Sequence, residues 1–256
     1  MANHVPEECF YLRFGNFPNF WWLKTMIDRA EGDLSTLFLT SAVKYEISER
    51  MQDRLEIRDV LLADLLGPLV IRDAAIIGSD AFLREGAAIG FLLRAEDNEV
   101  LGNFIRSGRR AALKKHADMV LEDVDIAGRT VSFLHTPANR LRSSYAVVDN
   151  YHFATTSKAL MARFFEASEG RRSLGQSAEF KAARRRMPLE RRDTMFAYLS
   201  SAFFENLSSP HYRIEMMRRL KAQVRLESAM LAQLAAKAEG APHDTVEVLI
   251  AGGYLP

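Results

Sequence analysis

The stretch SSYAVVDNYHFATTSKALMARFF (143–165) decides how this chain is read. Two short runs rich in aromatic and β-branched residues flank Asp149-Asn150, a pair that tolerates the positive φ of a two-residue hairpin turn. That turn sets the register. Val148 faces Tyr151 and Ala146 faces Phe153, while Tyr145, Val147, His152 and Ala154 share the other side. Both sides are largely apolar, so the hairpin belongs inside a sheet covered on at least one face. Its second strand then runs through Thr155-Thr156-Ser157-Lys158 into an amphipathic helical pattern.

The same order of strand, polar corner and helix recurs in three other places. CFYLRFGNFPNFWWLKTMI (9–27) turns at Gly15 and Pro18, and AAIGFLLRAEDNEVLGNFI (87–105) turns at Glu96-Asp97-Asn98. TMFAYLSSAFFENL (194–207) turns at Ser200-Ser201. Their spacing is irregular, which excludes a solenoid. VLEDVDIAGRTVSFLH (120–135) reads as a further hairpin around Ala127-Gly128, with one wet face on its acidic first strand. Residues 73–93 supply two or three more strands. The expected fold is therefore α+β: mostly antiparallel sheet, with helices packed on one side and repeated strand–corner–helix units. Two similar halves are expected, 1–112 and 113–256, meeting near 108–118.

Two long helices stand apart from these units. Residues 44–66 place Ile47, Met51, Leu55, Leu62 and Leu66 on one stripe. Residues 211–239 place Met217, Leu220, Val224, Leu231, Leu234 and Ala238 on steps of three and four, with Glu227 interrupting the row. At about 1.5 Å per residue this C-terminal helix is roughly 40 Å long. It lies across a sheet or packs against a partner. Near the end, Asp244 is the expected helix cap, with Glu247 three residues on, and Gly252-Gly253 stop the helix. A chain that ends at Pro256, directly after that stop, reads as a piece of a longer protein.

Composition narrows the function classes. The 256 residues carry 34 lysines and arginines against 33 acids, so no global field gathers nucleic acid or anionic membrane, and no nucleic-acid partner is expected. Cys9 is the only cysteine, which excludes an internal disulfide and a zinc site built on several thiolates. The most apolar run, VLLADLLGPLVI (60–71), contains Asp64 and Gly67-Pro68 and falls short of the roughly 20 residues that cross a membrane. The first residues, MANHVPEECFYLRFG, have neither the basic nor the apolar region of an export signal.

Chemistry-bearing motifs are scarce. A Ser-x-x-Lys acyl-enzyme needs serine where Thr155 stands, three residues before Lys158, so the corner hydroxyls are read as helix caps, as is Ser200-Ser201. His4, His116, His135, His152, His211 and His243 show no metal-ligand spacing, although His135 and His152 approach one another if their hairpins pair. Glycine-rich phosphate loops and Gly-x-Ser-x-Gly are absent. The arginines at 171–172, 184–186 and 191–192 are diluted by Glu179, Glu190 and Asp193 and read as a solvated helical face. No catalytic residue, cofactor or metal is therefore assigned. The one candidate ligand surface is the N-terminal aromatic group, where Phe17, Trp21 and Trp22 could stack on sugar rings. The competing reading makes that group core or a buried seam.

Three phrases carry a family resemblance: LLGPLVIRDAAIIGSDAFLREGAAIGFLL (65–93), NRLRSSYAVVDNYHFATTSKALMARFF (139–165) and DTMFAYLSSAFFENLSSPHYRIEMMRRL (193–220). As a set they resemble large uncharacterised bacterial proteins of planctomycete type, built from duplicated α+β modules and often exported or lipid-anchored. The resemblance implies a cell-envelope or secreted setting, with other domains of a longer chain or an envelope protein as partners. It carries over no functional residue. The expected function is a non-catalytic module that binds a protein or small ligand or serves assembly. The alternatives are a hydrolase with dispersed active residues and a carbohydrate-binding module.

Overall fold

The computed structural model describes residues 1–20, 22–23, 70–80, 88–115, 118–137, 142–188 and 195–256. The helix expected over 44–66 lies outside them. The chain divides into two units, residues 1–205 and 206–256.

The first unit is α+β, built on an antiparallel sheet of eight strands among the described residues. In chain order these are β1 (Phe10–Arg13), β2 (Ile71–Gly78), β3 (Ile89–Ala95), β4 (Val120–Ile126), β5 (Arg129–His135), β6 (Arg142–Val148), β7 (Tyr151–Thr155) and β8 (Phe196–Tyr198). Across the sheet the order is β4-β5-β6-β7-β3-β2-β1-β8. β3 therefore pairs with β7, and strands from both sides of residues 108–118 lie in one sheet. Helices α1 (Asn98–Lys115), α2 (Lys158–Ser168), α3 (Ala178–Arg186) and α4 (Ser201–Ser208) follow β3, β7, a short 3₁₀ turn and β8. Helical backbone also begins at residue 17, after β1. All four strand–corner–helix units are thus present.

The hairpins follow from local chemistry. Ala127 and Gly128 both take positive φ, 54° and 75°, as a two-residue turn between twisted strands requires. In the β6–β7 turn Asp149 alone does so, at 54°. The register there is the expected one, Val148 opposite Tyr151 and Ala146 opposite Phe153.

Strand alternation then distributes side chains to two cores. One contains Phe91, Leu93, Tyr145 and Ala154 from the strands, packed with Phe14, Phe17 and Phe20 and with Leu101 and Ile105 of α1. The other contains Tyr11, Ala75, Ile77, Leu92 and Phe153, packed with Leu160, Met161 and Phe164 of α2 and Phe180 of α3. Phe153 and Phe164 are fully buried and stack at 4.6 Å between ring centres. Burial of each such ring is worth about 2–3 kcal/mol. Helices thus cover both faces of the sheet, not one. The reason is legible in β3, where Phe91, Leu92 and Leu93 are all buried, a continuous apolar run that only a doubly covered strand accommodates.

At one edge, β4 exposes Glu122, Asp123 and Asp125, the charged protection expected of an edge strand. At the other, β8 is only three residues long.

The second unit is helical. Helix α5 (Pro210–Ala238) starts with Pro210 at its first position, and the Ser209 hydroxyl accepts from the Tyr212 amide at 3.1 Å. Helix α6 (Val246–Ala251) is capped by Thr245, whose hydroxyl accepts from the Val248 amide, one residue beyond the expected Asp244. Its C-cap is Gly252, followed by Gly253 at φ 76°. Leu249 of α6 packs on Ala232 and Ala236 of α5, where small side chains on one stripe let the two helices approach.

Candidate functional site

The corner hydroxyls fasten helix beginnings. Ser157 is the N-cap of α2 and accepts from the Leu160 amide at 3.2 Å. Thr155 donates to the Ile89 carbonyl at 2.7 Å and accepts from the Ser157 amide. Lys158, which an acyl-enzyme would need beside a nucleophile, instead lies 4.0 Å from the centre of the Phe133 ring. Ser200 accepts from the Phe203 amide at 3.0 Å and donates to the Glu7 carbonyl at 2.5 Å. Ser201 reaches Glu179 at 2.7 Å. At these two corners the hydroxyl caps are where the sequence places them.

Two histidines are buried in polar clasps. The Tyr145 hydroxyl and His152 Nδ1 are 2.7 Å apart, and His152 Nε2 lies 2.8 Å from Asn98 Oδ1. Because the Asn98 oxygen only accepts, Nε2 carries the proton and Nδ1 accepts from tyrosine. Burial, reinforced by Arg106, holds His152 at about 4, and burial pushes Tyr145 up to about 12. Every member is neutral at physiological pH, so the clasp ties β6, β7 and the start of α1 together. His135 lies two strands away on β5, where it stacks on Phe133 and meets Glu122 at 3.2 Å. Strand alternation puts it on the face opposite His152, so these two histidines form no pair.

His4 Nδ1 meets Ser168 Oγ at 2.9 Å, the geometry a hydrolase would use. The proton runs the wrong way. Ser168 donates to the Phe164 carbonyl one turn back, at 2.8 Å, so its oxygen accepts from the histidine. Burial holds His4 at about 4, and its ring packs tilted against Tyr151, 3.9 Å between ring centres. A histidine that donates to a serine is not its base. Among the described residues no group of histidine, cysteine and carboxylates could hold a metal. Cys9 is buried, and its thiol is pushed well above its ordinary range by that burial.

The aromatic group divides. Phe17 is 3% exposed, packed with Phe20 in the core, whereas Trp22 is 57% exposed. Trp21 lies outside the described residues. Of the three candidate platform residues, Phe17 offers no face to a sugar and Trp22 does.

The largest exposed feature of the second unit is α5. Ile214, Met217, Leu220, Val224, Leu231 and Leu234 fall within a broad stripe at 100° per residue, and each is between 41% and 68% exposed. A row of exposed large apolar side chains of this kind marks an interaction surface more often than chance exposure. The heptad-like spacing is visible in the sequence, and a basic edge lies beside it. Arg218, Lys221 and Arg225 follow one side of the stripe at steps of three and four, and a shallow recess runs between Arg213, Ile214, Met217, Arg218 and Lys221. Arg218 also pairs with Glu215 at 2.8 Å, while among the described residues no acid pairs with Lys221 or Arg225. The signal that finds this edge is the same i, i+3, i+4 count applied to cations.

No helix among the described residues is long and apolar enough to cross a membrane. No family model matches the chain, and neither a curated protein nor a solved structure matches it.

Proposed function

We propose that the chain is a non-catalytic module that binds another protein through α5, within a larger envelope or secreted assembly. The observation that carries this reading is the exposed apolar stripe on α5. The occupant is an amphipathic helix with an acidic row beside its apolar seam, contributed by another domain of a longer chain or by an envelope protein. Two features support that choice. Steps of three and four suit a helical partner, because such a seam accepts knobs from a facing helix. The basic edge of Arg218, Lys221 and Arg225 suits a complementary negative row. A second copy in parallel register fits less well, since Glu227 would then face its own counterpart in the seam.

The test uses the whole chain and a synthetic amphipathic helix with glutamates along one edge. Binding is expected to weaken with salt, to be lost in Leu231→Glu, and to transfer to a lysine-edged helix in the double variant K221E/R225E. Equal binding of acidic and basic helices refutes the proposal. So does dimerisation of the chain alone in sedimentation, or binding to anionic vesicles with no response to the acidic helix.

A further inference from the structure

Among the described residues, one end of the sheet collects more positive than negative charge. On β1 and β2, Tyr11, Ala75 and Ile77 point into the core beneath α2 and α3, so Arg13 and Asp73, two residues along, point the same way. Asp73 pairs with Arg94 in the β2–β3 register, and Arg94 pairs with Tyr151 in the β3–β7 register. Directly paired residues share a face, so four neighbouring strands place arginine, aspartate, arginine and tyrosine side by side. Arg184 of α3 reaches the same neighbourhood from above, its guanidinium 4.3 Å from the Phe196 ring centre.

The single acid is already engaged. Arg13 Nε donates to Asp73 Oδ2 at 2.6 Å, and the Ala74 amide donates to Oδ1 at 2.9 Å. Asp73 is 7% exposed and Arg13 19%. Among the described residues no carboxylate pairs with Arg94 or Arg184, and each keeps one buried N–H without an acceptor: Nε of Arg94 and Nη2 of Arg184. Arg94 leans on the Tyr151 ring at 5.9 Å. Among the described residues, three guanidiniums therefore lie around one carboxylate in a largely desolvated patch. Burying cations without counter-charge is costly, and the cost falls when an anion joins them. Burial and the nearby Arg13 both lower the pKa of Arg184 from its ordinary range, as uncompensated positive charge requires.

We infer that this patch binds a small oxyanion, a phosphate-bearing or carboxylate-bearing ligand, at the unsatisfied N–H groups of Arg94 and Arg184 that flank the Arg13–Asp73 pair. Arginine forks match both ligand types, and the aromatic rings of Tyr151 and Phe196 hold two of the guanidinium planes in place. This site is independent of α5.

The experiment is thermal unfolding of the whole chain at constant ionic strength, exchanging chloride for phosphate, sulfate, acetate or citrate. Phosphate at about 50 mM is expected to raise the midpoint by roughly 3–6 °C. A larger rise with phosphate and sulfate assigns a phosphate-bearing ligand, and a larger rise with citrate and acetate assigns a carboxylate-bearing one. Arg94→Gln and Arg184→Gln are expected to lose the response while matching or exceeding the wild-type midpoint in chloride, because each removes an uncompensated charge. Arg172→Gln, which breaks the exposed pair with Glu7, keeps the response. Equal midpoints in chloride and in all four oxyanions overturn the inference, as does an undiminished response in both variants. If either variant fails to fold, amide shifts of Ala74 and Tyr151 in the wild-type protein decide: saturable movement with an oxyanion supports the site, and none refutes it.

Discussion

Acid should weaken this protein through His152, and the size of the effect follows from its clasp. His152 is 1% exposed, and its pKa is held at about 4 against an ordinary 6.5. The groups facing it are the Tyr145 hydroxyl, the Asn98 amide oxygen and, at longer range, Arg106. Between these two pKa values the unfolded chain takes up a proton that the folded protein refuses. Stability is therefore full above the unfolded value and falls as pH drops towards the folded one. Near pH 5 the linkage relation gives a loss of about 2 kcal/mol from this residue. His4, held down by burial in the same way, acts in the same direction. Urea unfolding between pH 7 and pH 5 measures the slope, in a range mostly above the titration of ordinary carboxylates. His152→Gln isolates the residue, since glutamine can serve one of the two clasp partners but cannot titrate. The variant is expected to be less stable at pH 7 and to lose stability more slowly towards pH 5. Identical slopes in variant and wild type, or an NMR titration of His152 with a midpoint near 6.5, refute the reasoning.

Three other changes separate structural roles from functional ones. Ser157→Ala should cost about 1 kcal/mol in chemical denaturation, the ordinary worth of an N-cap, and a serine-directed covalent probe should leave Ser157 unlabelled in the native protein. Gly90→Ala should destabilise by at least about 2 kcal/mol, because the added carbon would lie 2.5 Å from the Phe153 ring and 2.8 Å from the Ala154 carbonyl; a folded variant of wild-type midpoint would contradict the packing described. Phe17→Ala should cost about 3–5 kcal/mol, whereas Trp22→Ala should leave the unfolding midpoint nearly unchanged, with loss of sugar binding in the latter the one result that would revive a carbohydrate platform.

Short-range features were the most legible in the sequence. The register around Asp149-Asn150, the turn at Ala127-Gly128, the caps at Ser157 and Ser200 and the limits of α5 depend on neighbours within a few residues, and side-chain period and cap chemistry report those directly. The second helical layer was less legible, although β3 announced it: apolar residues at both parities mean cover on both faces. Pairing of β3 with β7 and of β1 with β8 was not legible, because a strand's own pattern does not name its neighbour. The Arg13, Asp73, Arg94 and Arg184 patch was hidden for the same reason. Its members are scattered from residue 13 to residue 184, and only sheet order places them together. The exposed stripe of α5 shows the opposite limit. Its spacing was plain, but periodicity alone does not say whether a face is covered.

Sheet order also sets a timetable for vectorial synthesis. Between the last residue of β3, Ala95, and the first of its partner β7, Tyr151, a ribosome must add about 56 residues, which takes roughly 3–11 s at ordinary elongation rates. The outer side of β1 waits far longer, until Phe196 emerges. During those intervals the nascent chain displays unsatisfied strand borders flanked by Phe91, Leu92 and Leu93. Protection of these borders during translation is the expected consequence of this connectivity, whatever the stability of the finished molecule.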